Sequence, residues 1–121
     1  MHKKILIVDD EDIVRNYARR ALSSRGWAVS EAADGTSALA LIEKEDFTAV
    51  ICDLKMPDMR GEEVIKKIKA RRPAVKIIVV TGSFSKLANP IVPGVEVYGF
   101  LIKPFGINEI RDIMEKMLKE E

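Results

Sequence analysis

Two kinds of hydrophobic pattern alternate along the chain. One is a short, continuous apolar run, which is typical of a strand buried on both faces of a parallel sheet. The other has apolar residues three or four positions apart, which indicates a helix with one buried face. The apolar runs occupy residues 4–8, 27–30, 49–52, 75–80 and 97–102, and the second of them is the weakest.

The helical patterns follow the first, second, third and fifth of these runs. The first helix is expected to stop at Gly26, because glycine favours helix termination. Gly61 precedes the third helical stretch, and the last one starts at about Ile107. Because strand and helix patterns alternate along the whole chain, the sequence predicts an α/β fold with a doubly wound parallel sheet.

Composition narrows the class of protein. The chain has 121 residues, a common size for one domain, and 20 basic residues against 19 acidic ones leave a net charge of +1. We therefore expect neither a nucleic-acid-binding surface nor a membrane-binding one. No signal peptide and no run of 18 apolar residues is found, so a cytoplasmic location is expected. The single cysteine, Cys52, is interpreted as a small buried filler.

Polar residues follow four of the predicted strands. Asp9 and Asp10 follow the first, Asp53 the third, Thr81 the fourth and Lys103 the fifth. The carboxyl ends of parallel strands meet at one edge of a sheet, where ligands bind in open α/β folds. We therefore expect these side chains to be neighbours, although they are far apart in the sequence.

Three carboxylates at one edge would repel one another unless a cation lay between them. Mg²⁺ suits such a site because it is a hard ion that prefers oxygen ligands. A carboxylate nucleophile, a metal site, a lysine and a hydroxyl are the parts that phosphoryl transfer requires. The sequence therefore indicates a phosphoryl-transfer site.

Each of these residues also has a purely structural interpretation. Asp9 and Asp10 could cap the first helix, since aspartate is favoured there. Thr81 could fill space at a strand end, and Lys103 could be a solvated surface lysine. The occurrence of all of them at strand ends, in this order, favours the functional interpretation.

The motifs resemble those of the receiver domains of two-component response regulators. The resemblance covers essentially the whole chain, which would make residues 1–121 one receiver domain. It implies a five-stranded parallel sheet of order 2-1-3-4-5, the flavodoxin-like receiver fold, with five flanking helices. It rests on Ile7-Val8-Asp9-Asp10-Glu11, Asp53-Leu54-Lys55-Met56-Pro57 with Gly61, Thr81, and Lys103-Pro104-Phe105.

The resemblance implies an acceptor and a metal site. Asp53 would take a phosphoryl group from a histidine kinase or a phosphotransfer protein. Asp10 and Asp53 would bind Mg²⁺ together with the backbone carbonyl of Lys55, and Asp9 would act largely through water. Phosphorylation would then change the affinity for an output protein or domain, which the sequence does not identify.

The resemblance also implies the switching residues. Lys103 would contact the phosphoryl oxygens, and Thr81 would hydrogen-bond to them in the active state. Phe100, three residues before Lys103, lies where the family has its switching aromatic ring, whereas Tyr98 is out of that register. The Lys103–Pro104 peptide bond would be cis.

Residues 84–96 depart from the family pattern, since Pro90 lies where a fourth helix is expected. Proline disfavours helical geometry at the residue before it and costs about 3 kcal/mol inside a helix. We therefore predict that the fourth helix is short or irregular, with at most two turns that end near Asn89. Phosphorylation would order or reshape this segment.

Two other functions remain open at this point. One is a phosphatase with an aspartyl nucleophile of the haloacid-dehalogenase type, since Asp10-Glu11-Asp12 resembles that family's Asp-x-Asp motif. The Gly-Thr expected after that motif is absent, and turnover of generic phosphomonoesters would distinguish it. The other is a binding module that works without phosphorylation, which the complete acidic site argues against. We expect a receiver domain that does not turn over a separate substrate.

Overall fold

The computed structural model describes residues 3–82 and 93–119. Five parallel strands form one sheet in the order β2-β1-β3-β4-β5. This confirms the predicted parallel α/β sheet and its strand order. The strands are β1 (Lys4–Val8), β2 (Ala28–Ala32), β3 (Ala49–Asp53), β4 (Lys76–Thr81) and β5 (Gly99–Ile102).

Helices cover both faces of the sheet. α1 and α4 pack on one face, and α2 and α3 pack on the other. The predicted start of the last helix at Ile107 is confirmed, whereas the short or irregular helix predicted to end near Asn89 lies outside the described residues. The helices are α1 (Asp12–Ser23), α2 (Gly35–Lys44), α3 (Gly61–Arg71) and α4 (Ile107–Lys119).

The core is divided by the sheet into two layers. In β1, Leu6 and Val8 point into the layer beneath α2 and α3, whereas Ile5 and Ile7 point into the layer beneath α1 and α4. All four are fully buried or nearly so. Burial of each such side chain contributes about 1.5–3 kcal/mol, which explains why the strand has a continuous apolar run.

Some element boundaries differ from the predicted ones. β2 begins at Ala28 rather than at Trp27, and β5 begins at Gly99 rather than at Val97. Trp27 and Val97 nevertheless pack against the two core layers. The apolar pattern therefore located residues that contact the core, but such contact alone does not place a residue in the hydrogen-bonded ladder. α1 ends at Ser23, and Gly26, with φ of 85°, closes the turn that follows.

Gly61 brings α3 close to the end of β3. A Cβ atom at this position would overlap the backbone of Leu54. The amide of Gly61 donates a hydrogen bond to the carbonyl of Leu54 at 3.0 Å. Absence of a side chain at residue 61 thus allows the helix to begin directly against the strand end that carries Asp53.

Within residues 3–82 and 93–119, we find no helix with the length and the apolar character required to cross a membrane.

Candidate functional site

The carboxyl ends of the strands bring the predicted residues to one edge of the sheet. Asp53 is the last residue of β3, Thr81 is the last residue of β4, and Asp9 and Lys103 each follow a strand directly. Backbone hydrogen bonds continue past the ends of the ladders, from Asp9 N–H to the Ala32 carbonyl at 3.1 Å and from Lys103 N–H to the Thr81 carbonyl at 2.9 Å. These bonds fix where the side chains leave the sheet.

Three of these polar residues are buried, whereas most polar side chains lie at the protein surface. Asp9, Asp53 and Thr81 are 2%, 4% and 3% exposed. Buried carboxylates require compensation, because removal of a charge from water is costly. Asp10, by contrast, is exposed at the entrance. The site therefore has a buried floor and an open mouth.

The ammonium group of Lys103 supplies the compensation. It donates hydrogen bonds to Asp53 Oδ2 at 2.7 Å and to Glu11 Oε1 at 2.5 Å, and it lies 3.0 Å from Asp9 Oδ2. Partial burial opposes its charge, but the hydrogen bonds to the three carboxylates outweigh this and raise the pKa of Lys103 above its ordinary value. The interpretation of Lys103 as a solvated surface lysine is therefore wrong.

Asp53 is held through both of its oxygens. Oδ2 accepts from Lys103, and Oδ1 accepts from the backbone N–H of Lys55 at 3.0 Å. Each carboxylate oxygen has two lone pairs, so these bonds orient the group and leave acceptor capacity on both atoms. The thiol of neighbouring Cys52 is fully buried, which raises its pKa and confirms its interpretation as a buried filler.

Asp9 belongs to the cluster rather than to a helix cap. Its Oδ1 atom accepts from the backbone N–H of Glu11 at 2.9 Å. The N-cap residue of α1 is Glu11, whose side chain makes no capping hydrogen bond, so the alternative in which Asp9 or Asp10 caps the helix is wrong. Burial raises the pKa of Asp9, although the Glu11 amide and Lys103 lower it in part.

The acidic cluster has the composition of a site for a hard cation. One carboxylate oxygen from each of four residues lies within 4.8 Å of the others, the four being Asp9, Asp10, Glu11 and Asp53. All the donors are oxygens, which suits Mg²⁺ better than it suits metals that prefer nitrogen or sulfur. The exposed residues Asp10 and Lys55 line an open cleft of about 520 Å³ at this edge. The chemistry of the donor set therefore fits Mg²⁺.

Sequence reasoning missed Glu11 as a member of the site. Lys103 lowers the pKa of Glu11 through a hydrogen bond and through its charge. The available signal was the position of Glu11 directly after Asp10, but a glutamate at a helix start is so common that this position alone did not distinguish it.

The predicted aromatic switch lies apart from the acidic cluster. Phe100 pairs with Val79 in the ladder between β4 and β5, and 40% of its surface is exposed. Tyr98 is half-buried and packs against the core beneath α1 and α4. The Lys103–Pro104 peptide bond is cis, as predicted.

Comparison with known proteins is consistent with this geometry. The family model "Response regulator receiver domain" matches residues 5–115. Sporulation initiation phosphotransferase F of Bacillus subtilis is 33% identical over 120 residues, which cover 98% of this chain and 95% of that protein. Some other curated relatives are longer, and the chain spans only 13% of the sensor kinase CckA of Brucella abortus.

Solved structures give the same result. A CheY-like response regulator receiver domain protein from Methanospirillum hungatei has a TM-score of 0.90 and 31% identity, with 99% of this chain and 96% of that chain covered. The response regulator protein TrrA from Thermotoga maritima, solved in complex with Mg(2+)-BeF, has a TM-score of 0.82 and 26% identity, with 95% and 98% covered. None of these matches supports the phosphatase alternative.

Proposed function

The chain belongs to the receiver domain family of two-component response regulators, and on this premise we propose that Asp53 accepts a phosphoryl group from a phosphohistidine of a histidine kinase or of a phosphotransfer protein. The observation that carries the proposal is the buried carboxylate of Asp53, oriented by the Lys55 amide and contacted by Lys103. The receiver domain would occupy all of residues 1–121.

In the proposed reaction, an oxygen of Asp53 attacks phosphorus. The new Asp53 O–P bond forms as the P–N bond to the donor histidine breaks, and the bonding electron pair leaves with the imidazole nitrogen. The Lys55 N–H holds the carboxylate in one orientation, so less rotational freedom is lost when the donor arrives. Asp53 also lines the open cleft, through which the phosphoryl donor would reach its free acceptor positions.

Lys103 has two roles in this scheme. In the unphosphorylated state it neutralises part of the charge on Asp9, Glu11 and Asp53. After transfer, its ammonium would turn to an oxygen of the phosphoryl group, which brings additional negative charge. Catalysis of phosphoryl transfer consists largely of positioning and of such charge stabilisation.

The residues that would hold Mg²⁺ are Asp10, Asp53 and the backbone carbonyl of Lys55, with Asp9 acting largely through water. When bound, the ion neutralises charge on the phosphoryl oxygens. The oxygen-only donor set supports this assignment, and so does the relative from T. maritima that was solved with Mg(2+)-BeF.

Thr81 and Phe100 would report the phosphorylated state. Thr81 is the last residue of β4, in the same ladder as Phe100. A hydrogen bond from the Thr81 hydroxyl to a phosphoryl oxygen would draw in the end of β4. The exposed ring of Phe100 would then change its packing, and partner affinity would change with it.

This function is one of signalling and not of metabolism. The domain would catalyse gain and loss of its own phosphoryl group without turning over a separate substrate. Its upstream partner would be a histidine kinase or a phosphotransfer protein, and its downstream partner would be an output protein or domain. A cytoplasmic location, with no direct binding to nucleic acid or membrane, is part of the same proposal.

Phosphorylation by a small donor tests the acceptor. The protein is incubated with acetyl phosphate and Mg²⁺, and intact mass spectrometry follows the phosphoryl adduct. Asp53→Asn should gain no adduct, because the amide is not a nucleophile. Asp46→Asn is the matched control, since Asp46 precedes β3 at the opposite edge of the sheet, and it should be modified like the wild type. An adduct on Asp53→Asn at the wild-type rate would refute the assignment.

A further inference from the structure

The loop between β1 and α1 is held by one arginine. Arg15 lies one turn into α1, and its side chain is only 14% exposed. Its Nη1 atom donates to the backbone carbonyl of Asp9 at 2.5 Å, and its Nη2 atom contacts Asp12. Its Nε atom lies 3.4 Å from Glu31 on β2. The guanidinium group thus joins the loop, the helix start and the neighbouring strand.

The carbonyl that Arg15 binds belongs to the peptide unit between Asp9 and Asp10. A peptide unit is planar, so fixing the Asp9 carbonyl also fixes the Asp10 nitrogen and Cα. The direction in which the Asp10 side chain leaves the backbone depends on that plane. Asp10 is exposed, and the peptide unit on its other side is held by the hydrogen bond from the Glu11 N–H to Asp9 Oδ1.

We propose that Arg15 is a positioning residue that orients Asp10 for magnesium binding through the Asp9–Asp10 peptide unit. The inference rests on the proposed function, because it presumes that Asp10 is a metal ligand. An arginine fits this task better than a lysine does, since its planar group presents donors in several fixed directions at once. Groups that orient metal ligands affect metal affinity by about 10–100-fold when they are removed.

Because Arg15 is positively charged, two explanations of its role predict opposite changes in magnesium affinity when it is replaced. A cation close to the cleft repels Mg²⁺, so removal of its charge should by electrostatics alone tighten magnesium binding. Loss of positioning should weaken it. The two explanations therefore predict opposite signs for the same substitution.

Arg19 provides a matched control on the same helix. It lies 3.0 Å from the other carboxylate oxygen of Glu31 and is more exposed than Arg15. Arg19→Met removes the same charge and an ion pair to the same glutamate, but leaves the contact with the Asp9 carbonyl in place. A difference between the two variants isolates that contact.

The experiment is a calorimetric titration of the full chain with MgCl₂ at fixed ionic strength, after dialysis against EDTA and then buffer. Arg15→Met should raise the Mg²⁺ dissociation constant by about tenfold, whereas Arg19→Met should leave it within about twofold of the wild type. The rise in melting temperature on addition of Mg²⁺ should shrink in Arg15→Met alone. If the role of Arg15 were purely structural, Arg15→Met would lower the melting temperature by the same amount with and without Mg²⁺. The Mg²⁺ dissociation constant would then be unchanged.

Unchanged or tighter binding by Arg15→Met would overturn the inference, and so would equal weakening by the two variants. If Arg15→Met does not fold, Arg15→Lys is the second variant. It keeps the positive charge but loses the planar guanidinium group with its several fixed donors. Weaker binding by that variant supports the inference, and wild-type affinity overturns it. Absence of Mg²⁺ binding by the wild type would refute the magnesium site itself, which distinguishes failure of the proposed function from failure of the role of Arg15.

Discussion

Two aspartates in loops after strands show opposite electrostatic behaviour. Asp9, after β1, is buried, and burial raises its pKa. Asp58, in the loop after β3, is exposed, and hydrogen bonds from Thr36 and Gly35 lower its pKa to about 2. Folding thus disfavours the charged form of Asp9 and favours the charged form of Asp58.

The difference shows which carboxylate serves stability. Asp58 accepts from the backbone N–H groups of Gly35 and Thr36, both at 2.9 Å, and thereby ties its loop to the N-terminus of α2. Such groups are unsatisfied within the helix itself, and a carboxylate there also interacts well with the helix dipole. Asp9 faces other carboxylates and depends on Lys103. The charge of Asp9 therefore opposes stability, whereas the charge of Asp58 supports it.

Removal of Lys103 should produce the largest change. Lys103→Met leaves buried Asp9 and Asp53 without their counter-charge, and removal of one partner of a buried ion pair costs about 3–5 kcal/mol. We expect a loss in unfolding free energy near the lower figure, measured by urea denaturation at pH 7 in EDTA. Lys66→Met, at an exposed position on α3, is the control and should change little. Equal stability of the two variants would mean that Lys103 does not compensate the cluster.

Neutralisation of Asp9 should have a smaller effect of the opposite sign. Asp9→Asn removes one buried charge but keeps an oxygen that can accept the hydrogen bond from the Glu11 amide. Lys103 keeps its hydrogen bonds to Asp53 and Glu11 in this variant. The melting temperature in EDTA should therefore rise. Asp112→Asn, at an exposed position on α4, should leave it nearly unchanged. A fall in melting temperature for Asp9→Asn would show that its charge stabilises the fold.

Asp58 should give the smallest effect, and one that depends on pH. A lowered pKa in the folded state means that Asp58 stabilises the protein above its unfolded pKa of 3.8 and that this stability is lost as pH falls to about 2. Asp58→Ala should thus be less stable than the wild type by a constant amount from pH 7 to pH 5. The difference should shrink between pH 4 and pH 2, as followed by thermal melting. A gap that stays constant down to pH 2 would exclude the carboxylate as its source.

The sequence predicted the edge of the sheet better than it predicted the contacts made there. Asp53, Thr81 and Lys103 were placed together because parallel topology alone brings strand ends to one edge. The bond between Lys103 and Glu11 and the contact of Arg15 with the Asp9 carbonyl were not predicted. These depend on side-chain rotamers and on the path of a loop, neither of which leaves a periodic pattern in the sequence.

The same limit explains the shifted boundaries of β2 and β5. Trp27 and Val97 are apolar because they cover the core, and nothing in the sequence marks whether their backbone also joins the ladder. The hydrogen bonds that Asp58 accepts were likewise not predicted, since they come from the start of α2, more than 20 residues earlier in the chain.

The close approach of Gly61 to Leu54 has a consequence for which substitutions the domain tolerates. A single added methyl group would have to push α3 away from β3, the strand that ends at Asp53. Gly61 has no reactive side chain, yet any larger residue at this position would displace α3, because a Cβ atom there would overlap the backbone of Asp53 and Leu54. At residue 61, the tolerance for substitution is therefore set by the distance between two backbones and not by the distance of a side chain from the acidic cleft.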